Sequence, residues 1–253
     1  MDQLYHYGIK GMRWGVRRTP EELGHSPVPK GVRVKANGEI SISKGSSLQR
    51  LVRKDAPAMK GITYASFLEY DNAKYIRYIG GKGPFGGGRD KILSLRAKES
   101  LKSPSVDEAC QIMVRELIRN KEFRETFTNA FGYKISDKEF QKMQKDPTGS
   151  VSRLWYHELN IAMTFSAEFD PSIPFVQKTF KNALLESGYN MLRDENDFFN
   201  NVSKAPVIIF NPESSLEVVS MSMITDEIRK KSKATVNEYK QLGRKWVEEL
   251  VYE

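Results

Sequence analysis

The chain has 253 residues, with 40 Lys and Arg against 32 Asp and Glu for a formal net charge of +8, and its composition is that of an ordinary globular protein large enough for one large domain or two small ones. No apolar run approaches the roughly 18 residues of a membrane span and no apolar h-region opens the chain, so neither a transmembrane helix nor a secretory signal is expected, and the cytoplasm is the expected compartment. Cys110 is the only cysteine and His6, His25 and His157 the only histidines, which excludes an intramolecular disulfide and leaves a metal centre almost no soft ligands.

The charge excess is N-terminal: residues 1–60 hold twelve cations and five anions, a balance of +7. Such asymmetry suits contact with nucleic acid or another polyanion, and equally a solvated basic tail. Within that region YHYGIKGMRWGVRR, residues 5–18, spaces its glycines too closely for a helix, each being worth roughly 1 kcal/mol against Ala. It also carries more apolar residues than a solvating tail needs. The segment reads as something to be recognised, folding against a partner groove. Pro20, Pro27 and Pro29 with Gly24 and Gly31 then mark a linker, so residues 1–30 form a basic tag and linker ahead of a domain over 31–225.

The domain opens on VRVKANGEISIS, whose alternation on both sides of Asn37-Gly38 predicts a hairpin with a type I′ turn. Further strands are predicted at 47–52, 62–67, 91–98, 189–192, 206–210 and 215–224. Between them, Ser105 with Glu108 and Ser136 with Glu139 are capping boxes, opening helices that run to about 120 and to Pro147. Helices are also predicted at 151–165 and at 173–187, where Gly188 supplies the C′ residue. A charged helix covers 226–251 within the C-terminal segment 226–253. Strands at both ends around a central helical block make the fold class α+β.

GGKGPFGGGR contains a formal GxGxxG at Gly81, Gly83 and Gly86, but Pro84 and the strand-like KILSLRAK after it do not supply the helix that a dinucleotide fingerprint opens. It reads as a loop, one able to border a ligand cleft with Lys82 and Arg89 as cations. His157 lies in a helical pattern, and Cys110 is placed for burial in the first capped helix. The acidic group Asp194, Glu195 and Asp197 lies between two strands, where carboxylates serve as catalysts, metal ligands or a solvated turn.

Two stretches resemble known families. His6, Gly8, Gly11, Trp14, Gly15 and Val16 spell HxGxxGxxWGV, which is similar to a terminal motif of tailed-phage and prophage proteins of Gram-positive bacteria. The resemblance implies a portable tag that docks on a capsid, portal or scaffold component; the cations of the stretch, Arg13, Arg17 and Arg18, are placed to reach phosphate or an acidic rim. Residues 39–225, through KGSSLQRLV, GITYASFLEYDNAKY, LRAKESLKSPS and ESGYNMLRDENDFFNNVSKAPVIIFNPESSLEVVS, resemble a phage family with the outline of the ADP-ribosyltransferase fold and its split sheets.

That second resemblance implies NAD as cofactor, with Arg50 on its phosphates. Tyr64 and Ser66 are implied near the nicotinamide, and Glu195, Asp194 or Asp197 as the catalytic carboxylate. Where the fold often carries its Glu, just before the late apolar strand, this chain has Ala205-Pro206-Val207. The implied function is a virion-associated ADP-ribosyltransferase delivered into the host cytoplasm to modify a host macromolecule. The alternative is a non-enzymatic structural or capsid-interior protein that contacts DNA or antagonises host defence through a degenerate domain.

Overall fold

A computed structural model describes residues 28–54, 59, 61–80, 88–130, 134–165, 170–195, 197, 204–243, 247–248 and 251–252. The tag positions His6, Gly8, Gly11, Trp14, Gly15, Arg17 and Arg18 lie outside the described residues, as do Gly81, Lys82, Gly83 and Gly86 of the glycine-rich loop. The described residues form the α+β arrangement expected, with strands at both ends, helices between them and a helix near the C-terminus.

The first sheet takes β1 (Val32–Val34), β2 (Ile40–Ile42) and β6 (Leu101–Ser103) in that order. The β1–β2 hairpin forms at Asn37-Gly38, but only Gly38 has a positive φ, 94°. Lys35 and Glu39 close a three-residue loop through Lys35 N–H to Glu39 O, 2.9 Å, so the turn is not the type I′ expected. The Asn37 side chain accepts from Glu39 N–H and fixes the loop locally.

The second sheet runs β3 (Ser47–Arg53), β5 (Arg89–Ala97) and β9 (Leu216–Met223), and the third β4 (Thr63–Ala65), β8 (Val207–Ile209) and β7 (Met191–Arg193). All neighbouring strands are antiparallel. Asn190 stitches the first sheet to the third, its side chain accepting from Lys102 N–H and donating to Ser100 O at 2.8 and 3.0 Å.

β3 and β4 meet only at Gln49 and Ser66, whose backbones exchange hydrogen bonds of 2.7 and 2.9 Å. Beyond that bridge no further backbone pairing joins the second and third sheets among the described residues, and Arg50 and Tyr64 sit where this split begins.

The third sheet separates two cores, as its apolar residues on both faces require. Ala65, Met191, Val207 and Ile209 pack with the other two sheets, α1 (Glu69–Tyr78) and α8 (Asp226–Leu242), the single turn α7 (Pro212–Ser215) leading into β9. Tyr64, Leu192, Ile208 and Phe210 pack against the helical block. That block comprises α2 (Val106–Arg119), α3 (Lys121–Ala130), α4 (Asp137–Lys145), α5 (Ser150–Ala162) and α6 (Ile173–Glu186). Both capping boxes form, at Ser105 and Ser136. Gly188 ends α6 with a φ of 87°. Cys110 is buried in the helical core, and burial pushes its thiol up to about 12, so it is an inert packing residue.

Three departures from the sequence reading have local causes. α1 was not expected because its polar residues Asp71 and Lys74 are buried, which erases the amphipathic period. α3 follows α2 after a single extended residue, Asn120, whose side chain accepts from Phe123 N–H and caps the new helix. α8 stops at Leu242 rather than continuing to 251, because Gly243 takes a φ of 70°. Val251 is then buried in the first core, and Tyr252 forms a parallel bridge to Val34.

Candidate active site at the sheet split

Arg50 lies near the middle of β3 and points its guanidinium across the split, Nη1 donating to Thr63 Oγ1 at 2.5 Å. Burial lowers its pKa, Tyr64 raises it and Arg89 lowers it further. Arg89 begins β5 directly opposite Arg53 in the strand register. Its pKa falls through burial first and through Arg53 second, with Tyr75 acting in the opposite direction. Among the described residues, none of these three arginines forms an ion pair with a carboxylate. Like charges held opposite one another destabilise a sheet, so the trio is a standing invitation to an anion.

Tyr64 lies on the next strand, and its hydroxyl donates to Met163 O at 2.7 Å, at the C-terminal end of α5. Burial raises its pKa well above the usual tyrosine value; the charge of Asp194 adds to this and that of Arg50 opposes it. One phenol thus feels both the strand cation and the acidic loop. Asp194 directly follows β7, where Val207 lies between Arg193 and Ala65 in the register, so it occupies the same sheet end as Ser66. It is buried, 7% exposed.

The loop beyond Asp194 folds back on it. Asp197 N–H donates to Asp194 Oδ1 at 2.8 Å, and Asp197 Oδ2 accepts from the Tyr75 hydroxyl of α1 at 3.1 Å. Asp197 has a φ of 21°, a conformation that non-glycine residues adopt rarely and that concentrates at functional sites. The groups therefore close a circuit: Arg50, Tyr64, Asp194, Asp197, Tyr75, Arg89 and back to Arg50, each linked to the next by a hydrogen bond or by its charge.

Two residues named from the sequence stand outside the circuit. Ser66 is 3% exposed, and its hydroxyl donates to Asn72 Oδ1 at 2.5 Å near the start of α1. Glu195 belongs to the opposite side of its strand extension. Its Oε1 lies 3.6 Å from Arg193 Nε, and a Cβ on Gly38 would come within 3.0 Å of it. Burial raises the Glu195 pKa, while Arg193 and His157 lower it. The buried Asn160 of α5 sets this alternation, donating to Arg193 O and accepting from Glu195 N–H at 2.9 Å each.

Tyr75 was not singled out from the sequence because it sits on the unexpected α1, and Arg53 because nothing in a single strand reveals its cross-strand partner. Of the two cations named at the glycine-rich loop, Lys82 lies outside the described residues and Arg89 lies in the circuit.

A buried carboxylate frames the loop from behind. Asp71 is fully buried and accepts from Lys204 N–H at 2.8 Å and Ala205 N–H at 3.0 Å. Burial raises its pKa to about 7, against the pull of those two bonds, and Asp197 raises it further. Between the unfolded value near 4 and the folded value near 7, the folded chain holds a proton that the unfolded chain has lost. This group's contribution to stability is therefore full below about pH 4 and is lost as pH rises to about 7. Urea unfolding from pH 4 to 8 is expected to show a wild-type stability that falls relative to Asp71→Asn by on the order of 4 kcal/mol across that window. A constant difference between the two proteins would refute the assignment.

Among the described residues, no group of three or more His, Cys, Asp and Glu side chains is arranged to hold a metal ion. Nor is any helix among them long and apolar enough to cross a membrane. A family of unknown function, DUF7211, matches residues 1–21, the stretch that contains the glycine-spaced aromatic motif. Neither the curated proteins nor the solved structures contain a match to this chain.

Proposed function

We propose that the sheet split is a nucleotide site and that the protein is a phage-encoded, NAD-dependent ADP-ribosyltransferase, with the segment around residues 5–18 docking it on a capsid, portal or scaffold component. The observation that carries the reading is that Arg50 of β3 is hydrogen-bonded to Thr63, the neighbour of Tyr64 on β4, while the order β4, β8, β7 sets Asp194 at the far edge of the same small sheet, where its charge acts on the Tyr64 phenol.

The residues suit the cofactor's chemistry. Arg50, Arg53 and Arg89 lack carboxylate partners among the described residues and match a diphosphate, which guanidinium groups bind in a forked geometry. NAD, when bound, would supply the nicotinamide–ribose bond to be broken, nicotinamide leaving as a nucleophile of the host macromolecule takes the ADP-ribosyl group. Asp194, fixed by the Asp197 N–H, stabilises the positive charge that develops on the ribose, while Tyr64 walls the pocket and keeps its own proton. Among the three acidic candidates the proposal favours Asp194, since Glu195 is turned toward Arg193 and Gly38.

A non-enzymatic reading, as a virion component with a degenerate domain, draws on one observation: Ala205, Pro206 and Val207 enter β8 buried and without a carboxylate. The two readings part on turnover. Incubating the intact chain with radiolabelled NAD and host lysate is expected to label protein or nucleic acid. Binding of NAD without labelling or hydrolysis would leave the degenerate domain as the answer.

A further inference from the structure

We propose that α1 and the last turn of α8 carry an anion site apart from the sheet split, in which Lys74, Arg77, Lys204 and Lys240 take the phosphates of a polyphosphate or of a polynucleotide backbone. The central observation is Lys74. It is 8% exposed, and among the described residues its ammonium has neither a carboxylate partner nor a hydrogen-bond acceptor. Instead it stands over two aromatic rings, 5.3 Å from the centroid of Tyr70 and 5.2 Å from that of Tyr78. Lysine is almost never buried without a counter-ion, and ring faces make up only part of the lost hydration.

The carboxylate that acts on Lys74 is committed elsewhere. Asp71, one turn earlier on α1, accepts from Lys204 N–H and Ala205 N–H through its two oxygens, and burial raises its pKa to about 7. Further cations gather at this place instead. The same two bonds bring the Lys204 backbone to α1. Lys240 follows Tyr239, whose ring meets that of Tyr70 edge-on at 5.7 Å. Arg77 lies three residues beyond Lys74, its guanidinium 5.2 Å from the Tyr78 centroid and its buried Nη1 without an acceptor among the described residues. The charges agree with this geometry: burial lowers the Lys74 pKa most, Lys240 and Lys204 lower it further, Asp71 opposes them, and Arg77 adds to the lowering.

Charge selects the occupant. None of the four cations pairs with a carboxylate among the described residues, so they repel one another unless an anion lies among them. Charge density then selects phosphate. A carboxylate brings a single charge, whereas a polyphosphate or polynucleotide brings one or more with every phosphate, and ammonium groups bind phosphate as point charges. None of the four belongs to the circuit at the sheet split, so this site does not depend on the transferase reading.

Calorimetric titration of inorganic tripolyphosphate into the full chain carrying Arg50→Ala, which weakens the sheet split, is expected to show saturable binding. Adding Lys74→Met should weaken it by roughly 10-fold or more. Methionine keeps the apolar stem against both rings, so the fold should survive; if it does not, Lys240→Gln, at an exposed position, is expected to show the same loss in smaller measure. Short single-stranded DNA that displaces the tripolyphosphate would identify a polynucleotide backbone as the source, and DNA that does not would identify a free polyphosphate. Absence of tripolyphosphate binding to Arg50→Ala, full affinity after both Lys74→Met and Lys240→Gln, or polyglutamate binding as tightly as tripolyphosphate would each overturn the proposal.

Discussion

On the proposed transferase reading, Asp194→Asn is expected to lower ADP-ribosyl transfer by roughly 100- to 1,000-fold while leaving NAD affinity within a few-fold of wild type. The substitution is nearly isosteric. Its remaining carbonyl oxygen can still accept the Asp197 N–H at Oδ1, so the loop keeps its shape and loses only the charge. A charge aimed at the reacting ribose acts mainly where positive charge develops, which places the loss in turnover rather than in binding. Glu195→Gln is the internal comparison. Its carboxylate faces Arg193 and the Gly38 turn, so transfer should change by less than about threefold. Initial rates of label transfer or NAD hydrolysis check both. A fully active Asp194→Asn beside an inactive Glu195→Gln would reverse the assignment of the carboxylate.

The second large effect falls on binding. Arg50→Ala is expected to weaken NAD affinity by roughly 10- to 100-fold, the value of one or two charge-assisted hydrogen bonds to a phosphate in a partly desolvated site. Arg50→Lys should recover only part of that loss, because an ammonium provides a point charge where a guanidinium provides a fork. Stability should move little in either variant. The lost bond to Thr63 is offset by relief of the repulsion between Arg50 and Arg89, so urea midpoints within about 1 kcal/mol of wild type are expected. Titration calorimetry separates the two quantities. An Arg50→Ala protein that is folded and binds NAD as the wild type does would remove Arg50 from the site.

Much of the architecture was legible because its signals are local. Capping boxes at Ser105 and Ser136, the Gly188 terminus and the alternation in β3, β5 and β9 each depend on neighbours within a few residues, and each appears where the pattern put it. What escaped depends on tertiary contacts. α1 hides Asp71 and Lys74 where a helical period should show apolar residues, since Asp71 is satisfied by backbone N–H groups 133 and 134 positions away. The Gly38 turn looked like a two-residue type I′ loop; Asn37, lacking a positive φ, makes it a three-residue one.

The candidate site divides in the same way. Arg50 and Tyr64 were named only through the family resemblance and Asp194 as one of the acidic group between two strands, whereas their placement comes from the order β4, β8, β7 and from a single bridge between Gln49 and Ser66. Tyr75 and Arg53 enter through pairings that a linear reading does not contain. Side-chain direction at the acidic loop was likewise beyond composition: Asn160 pins the backbone so that Asp194 and Glu195 diverge.

The central claim is that the split between the second and third sheets binds NAD. Calorimetric titration of NAD into the intact chain tests it most directly, at low ionic strength and with nucleotide up to about 1 mM, the upper range of ordinary enzyme substrate affinities. Saturable one-to-one binding that weakens with added salt and is lost in Arg50→Ala is the predicted result; a folded wild-type chain that gives no heat and no saturation over that range would contradict it.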